Sequence, residues 1–199
     1  MICFAAGTHL RTPFGSKPIE AFRSGDLIQT KDNGVKPVLW AGQRHLSGAR
    51  LHVMPHLRPI RFRSGALGHG RPDMDLVVSP QHRMVVMGAP ARALFGSDEL
   101  LVTARDLLDG RGVSIASDLR EVTYHHLLLE QHQIVFANGL ETESFHPALA
   151  DLATLTPEDR CNLLHLMPHI GKNPEFYGQA ARRSLSAAEA ALLGHRLSA

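Results

Sequence analysis

The 199-residue sequence holds only two cysteines, Cys3 and Cys161, one tryptophan and two tyrosines. Two cysteines this far apart make no disulfide framework, and the paired-cysteine spacing of structural zinc sites is missing. Apolar runs are short. Leu76-Val77-Val78 and Met84 to Met87 fall far below the roughly 20 residues that cross a bilayer, and Met1-Ile2 does not begin a basic segment leading into an apolar one, as a secretion signal would. No membrane is expected as a partner. Charge of one sign is not concentrated either: 21 Lys and Arg against 19 Asp and Glu leave a net charge of +2, scattered without a basic stripe, so nucleic acid is not an expected partner. Repeats and low-complexity tracts are also absent. At 44% hydrophobic and 20% charged, the chain can bury a substantial core in one or two domains, which excludes collagenous, coiled-coil and disordered classes. What it has in excess is histidine. The 13 histidines supply the side chain whose ordinary pKa lies nearest neutrality, so histidine chemistry or a metal has to be weighed.

Two textures divide the chain. From Cys3 to about Pro147, short apolar runs alternate with turn signals such as Ser24-Gly25-Asp26, Asp32-Asn33-Gly34, Ser64-Gly65 and Asn138-Gly139, which is the pattern of an all-β domain. Asp26 to Thr30 and Val35 to Trp40 read as a hairpin about Asn33-Gly34, a pair that takes the φ > 0 geometry of a tight primed turn. Further strands are expected at Arg58 to Phe62, Leu76 to Val78, Met84 to Met87, Leu100 to Thr103, Val122 to Leu129 and Gln133 to Ala137. The tail is helical in pattern. Thr156-Pro157-Glu158-Asp159 supplies an N-cap, a first-turn proline and acids for a helix over about 157–167, and Ser186 to Glu189 fits a capping box opening a second helix through about Leu197. Cys161, beside Leu163 and Leu164 in the first of these helices, reads as a packing residue.

Three stations carry possible chemistry. Cys3-Phe4-Ala5-Ala6-Gly7-Thr8 opens the chain. Alone, its cysteine is more often an inert small hydrophobe than a nucleophile, which needs an environment that removes the thiol proton. Ser79-Pro80-Gln81-His82 follows a buried-type strand, and its proline fixes a turn that lets Ser79 and His82 face one small volume. His132 precedes the apolar strand Gln133 to Ala137, which ends at Asn138-Gly139. His125 and His126 alternate across the preceding strand, so one of the two should face the core.

The order of these stations around an all-β body resembles the Hint family, the self-processing domain of hedgehog proteins, inteins and bacterial intein-like proteins. Cys3-Phe4 is similar to the family's opening nucleophile block, Thr8 to Gln29 to the strand and Gly-Asp-Leu hairpin that follow, Ser79 to His82 to its Thr-x-x-His block, and His132 to Gly139 to its penultimate block. The bacterial branch is also similar through Ile60 to Gly68 and Glu143-Ser144-Phe145. The resemblance implies a Hint-type horseshoe of short strands and hairpins over residues 3–147; residues 148–199 read separately as a helical extension with two short helices, and no cofactor or metal is expected. A metal held by His125 or His126 with His132 is a weaker alternative, since that spacing is undiagnostic.

The activity implied is an N-to-S acyl shift at the Ile2-Cys3 bond. Cys3 would attack the Ile2 carbonyl through a five-membered intermediate, His82 would act as general acid toward the amide nitrogen, and Ser79, in place of the usual Thr, would orient the peptide or hold the carbonyl oxygen. His132 would accept the thiol proton or polarise that carbonyl. Splicing inteins end in His-Asn, whereas Gly139 here leads into Leu140-Glu141-Thr142-Glu143-Ser144, so full splicing is disfavoured and amino-side cleavage by water or a small external nucleophile is expected. Nothing in the tail resembles a sterol-recognition segment. The reaction would be single-turnover autocatalysis rather than turnover of a separate substrate. Only Met1 and Ile2 precede Cys3, so the expected partner is a polypeptide fused upstream. The alternative is a catalytically degenerate module kept as a folded interaction or maturation domain of a secreted or surface protein. The compartment stays open: the resemblance fits a bacterial chain, cytoplasmic or exported within a larger protein.

Overall fold

In a computed structural model that describes residues 1–197, short antiparallel strands form two six-stranded sheets and a separate hairpin. Ser198 and Ala199, the end of the expected extension, lie outside the described residues. The first sheet runs in the order Val113–Ile115, Ile60–Phe62, Leu76–Val78, Phe4–Ala5, Val122–Leu128 and Trp40–Leu46. The second runs Glu99–Thr103, Arg83–Met87, Leu140–Glu143, Ile134–Ala137, His9–Thr12 and Gly15–Pro18. Apolar side chains from both, among them Phe4, Leu10, Phe62, Leu76, Met84 and Val135, make the main core. Because Phe4–Ala5 lies between two longer-range partners rather than at an edge, the start of the chain is fixed in the middle of the domain.

The turn chemistry differs from expectation at one place. Leu27–Gln29 pairs with Val35–Pro37, but the connection is the longer loop 30–34, closed by the Thr30 hydroxyl donating to the Gly34 carbonyl at 2.7 Å. The hairpin also ends at Pro37, which has no N–H to continue the ladder, and Trp40–Leu46 is a new strand in the first sheet. The primed turn occurs instead at Asn138 and Gly139, with φ of 45° and 77°, joining strands whose last pair is Ala137 and Leu140. Asn138 is held there because its side chain accepts from the His9 N–H and donates to the Asp75 carbonyl.

Past residue 147 the chain forms helices Pro157–Leu166, Pro168–Lys172 and Ala187–Leu197. The two expected helices are present, with a short third between them. Thr156 caps the first by accepting from the Asp159 N–H, and Ser186 with Glu189 makes the reciprocal capping box of the last. Cys161 is exposed, which corrects its reading as packing: Leu163 is the helix residue that is buried. The extension shares cores with the β body. Leu155, Leu163, Ile170 and Tyr177 pack with Ile2, Trp40, Leu128 and Phe145, while Leu185, Ala190 and Leu193 cover Leu100 and Val102. Among the described residues no helix is long and apolar enough to cross a membrane.

Candidate active site

Strand register builds the site. Phe4 is opposite Val78 on one side and His125 on the other, so one step back along both antiparallel ladders Cys3 meets Ser79 and His126. Three hydrogen bonds follow from that placement. The Cys3 N–H donates to Ser79 Oγ at 3.0 Å, the Ser79 hydroxyl donates to the Met1 carbonyl at 2.9 Å, and the Ser79 N–H donates to the Cys3 carbonyl at 3.0 Å. Both peptide units flanking Cys3 are thereby held. The Ser79 to His82 turn forms as expected, closed by the His82 N–H on the Ser79 carbonyl.

His126 spans the Cys3 thiol and the Ile2 carbonyl. Its Nδ1 lies 2.9 Å from the Ile2 carbonyl oxygen and its Nε2 3.7 Å from Cys3 Sγ. A carbonyl can only accept, so Nδ1 carries the proton and Nε2 faces the thiol with a lone pair. The ring is fixed by neighbours: Trp40 stacks on it at 6.0 Å and Phe145 meets it edge-on at 5.1 Å. Gly42 is what lets Trp40 lie there, because a Cβ at 42, opposite His126 in the ladder, would collide with the indole ring.

Burial sets the charges. Cys3 has no exposed surface, and loss of solvation pushes its thiol pKa up to about 12, against smaller lowering effects from the amino terminus, Ser79 and Arg44. Burial likewise holds His126 and His82 down to about 3. At neutral pH the site is therefore a neutral thiol beside neutral imidazoles. His82 packs its ring against Phe4 at 4.5 Å and bonds through Nε2 to the Thr142 hydroxyl. Its Nδ1 is buried without a hydrogen-bond partner among the described residues.

His132 lies elsewhere, which corrects its assignment to the thiol. Its Nδ1 accepts from the Ala181 N–H at 2.9 Å, and its Nε2 is 3.3 Å from the Glu143 carboxylate, close but not aligned as a hydrogen bond. Glu143 also accepts from the Arg83 backbone at 2.8 Å. Residues 129–133 cross from one sheet to the other, carrying His132 away from Cys3 and against the returning extension. Among the described residues no three His, Cys, Asp or Glu side chains converge as metal ligands.

A family model described as the Hint domain matches residues 2–149. The chain belongs to the Hint domain family. It is a self-processing domain in general type, and its β-rich architecture is the Hint fold. Among solved structures, a bacterial intein-like domain from Clostridium thermocellum is similar at 17% identity, covering 73% of this chain and 99% of that one, with a TM-score of 0.47. A splice-inactive variant of the AceL NrdHF class 3 split intein is similar at 16% identity over 72% of this chain and 97% of that one, TM-score 0.47. The MchDnaB-1 intein follows at 13% identity, 71% and 99% coverage, TM-score 0.44. No curated protein sequence matches the chain.

Within this Hint domain, Cys3, Ser79 and the His82 turn come together and His132 does not join them. His126 is the residue the motifs passed over. The alternation of His125 and His126 along the strand marks one of them as inward, but only the pairing with Phe4–Ala5 shows which one meets the cysteine.

Proposed function

We propose that this Hint domain carries out an N-to-S acyl shift at the Ile2-Cys3 peptide bond, with the resulting thioester resolved by water or a small external nucleophile as amino-side cleavage. The observation that supports this most is His126 touching both the thiol and the carbonyl of the same peptide. As the sulfur approaches the Ile2 carbonyl carbon, Nε2 takes the thiol proton. With its thiol pKa near 12, Cys3 forms little free thiolate, so proton transfer and attack proceed together. The imidazolium so formed keeps its Nδ1–H toward the oxygen on which negative charge develops, an oxyanion donor already in place. Attack within one residue closes a five-membered ring, and the held geometry supplies high effective molarity.

Collapse breaks the carbon–nitrogen bond, and the nitrogen must gain a proton to leave as an amine. The net movement is one proton from sulfur to nitrogen: the proton that His126 took from the thiol is passed on to the nitrogen by way of His82, leaving both rings neutral as they began. Ser79 Oγ, 3.0 Å from that nitrogen, orients it. His82 takes the proton up on Nδ1 and releases it to the nitrogen, while its Nε2–H keeps donating to Thr142 Oγ1, whose own hydroxyl donates to the Arg83 carbonyl at 2.8 Å. That Nδ1 has no competing acceptor among the described residues.

The test is a precursor with a fused upstream polypeptide. Addition of a thiol or hydroxylamine releases the upstream part with a modified carboxyl end, read by intact mass spectrometry. A folded precursor that stays inert would favour the degenerate-module reading. His82→Ala is expected to slow release by on the order of 10²-fold or more, measured as a single-turnover rate, and an unchanged rate removes the acid role from His82.

A further inference from the structure

Ile2, whose carbonyl would be attacked, is itself fully packed. Only 2% of its surface is exposed, although it precedes the first strand and belongs to the segment that would be transferred. The apolar cluster it belongs to is drawn from two parts of the chain. Trp40, Leu128 and Phe145 come from the β body, and Leu155, Leu163, Ile170 and Tyr177 come from the extension. The extension is fastened over this cluster by polar contacts at both ends. Near the start of helix Pro157–Leu166, Asp159 accepts from the Gln43 N–H at 3.2 Å, and beyond Pro168–Lys172 the Tyr177 hydroxyl donates to the Leu129 carbonyl at 3.0 Å. Gln43 and Leu129 belong to, or directly follow, the two strands that carry Trp40 and His126.

From this placement we propose that residues 152–177 complete a pocket for the side chain preceding Cys3, so that the domain processes upstream partners ending in a medium-sized aliphatic residue. The inference rests on the acyl-shift reading and names the substrate class of that same site. The physical basis is positional. A side chain seated in an apolar cavity holds its own carbonyl, and here that carbonyl sits 2.9 Å from His126 Nδ1. A smaller side chain leaves the carbonyl free to drift from the donor, a larger one pushes it away, and a charged one has to be desolvated without a partner. One or two methylenes in such a pocket discriminate by about 10-fold or more.

The experiment uses the full chain fused behind a reporter protein, with Ile, Val, Ala, Phe or Asp at position 2. Each precursor is made in the parent background and with Leu155→Ala, Leu163→Ala or Ile170→Ala, and the Cys3-dependent hydroxylamine release rate is measured. In the parent, Ile and Val are fastest, Ala and Phe are slower by about 10-fold, and Asp gives no release. In at least one truncated background the Phe-to-Ile rate ratio rises about fivefold or more, since space removed from the wall is returned to the occupant. A merely structural wall would slow all precursors alike and leave that ratio unchanged. Should the alanine variants fail to fold, Leu163→Val and Ile170→Val read the same ratio. An identical ranking in every background overturns the pocket while Cys3-dependent release persists. Absence of such release from the parent overturns the acyl-shift reading and the pocket with it.

Discussion

Cys3→Ala yields a precursor that remains full length in hydroxylamine or thiol for as long as the parent needs to cleave completely. Nothing else in the site can replace the sulfur. Ser79 Oγ is the other nucleophilic atom at this peptide, but it faces the amide nitrogen at 3.0 Å and is spent on the Met1 carbonyl, so it is not aimed at the carbonyl carbon. The substitution removes a small buried group and should cost about 1 kcal/mol, small enough for the variant to fold, so loss of cleavage reports chemistry. Intact mass of the precursor after incubation is the measurement. Full cleavage of the alanine form would transfer the nucleophile's role to another group and end the acyl-shift reading.

His126→Ala is expected to lower the first-step rate by at least about 10³-fold, because one ring supplies two functions: a base for the thiol, worth roughly 10²–10⁴, and a donor to the oxyanion, worth roughly 10²–10³. The two overlap and do not simply multiply. His126→Gln keeps a donor without a base and should fall between alanine and parent. The pH profile separates this base from an ordinary imidazole. An imidazole at its usual pKa of 6.5 would lose about tenfold in rate by about pH 5.5. His126, held at about 3 by burial, stays neutral, so with saturating nucleophile the first-step rate is flat down to about pH 5.

Stability responds to pH in the same range with a definite sign. His82 and His126 have folded pKa values near 3 and His146 near 4, all below the ordinary 6.5. Below pH 6.5 the unfolded chain binds protons that the folded chain does not, so stability is complete above that pH and declines as pH falls toward 4 and then 3. Thermal unfolding at pH 7.5 and 5 measures it: a Tm that does not fall at pH 5 would mean these rings are protonated in the fold.

Much of the architecture can be read from the residues. Thr156-Pro157 and Ser186 to Glu189 start helices because capping is a local matter of one side chain and the next amides. The Ser79 to His82 turn is likewise local. The Asn33-Gly34 hairpin shows the limit, since the same dipeptide chemistry gives a wider loop there and a primed turn at Asn138-Gly139. Which one forms depends on the strands that have to meet, and the Asn138 side chain is tied to His9 and Asp75 from distant segments.

The sequence by itself determined the β-rich class, the two capped helices, and the short-range elements of the site: a cysteine entering a strand and a Ser-x-x-His turn. Each depends on neighbours within a few residues. Only the tertiary structure decided which histidine lies against the cysteine. Cys3 and His126 are joined by strand pairing across most of the domain, while His132, six residues further on, is turned toward Glu143 and the extension. A one-residue shift in that pairing would face His125 toward the cysteine instead, because side chains alternate along a strand. Alternation narrows the choice to two, and the long-range register selects one. The same holds for Ile2. Its hydrophobicity is plain in the sequence, but the wall of extension residues around it exists only because the chain returns from beyond residue 150 to cover it.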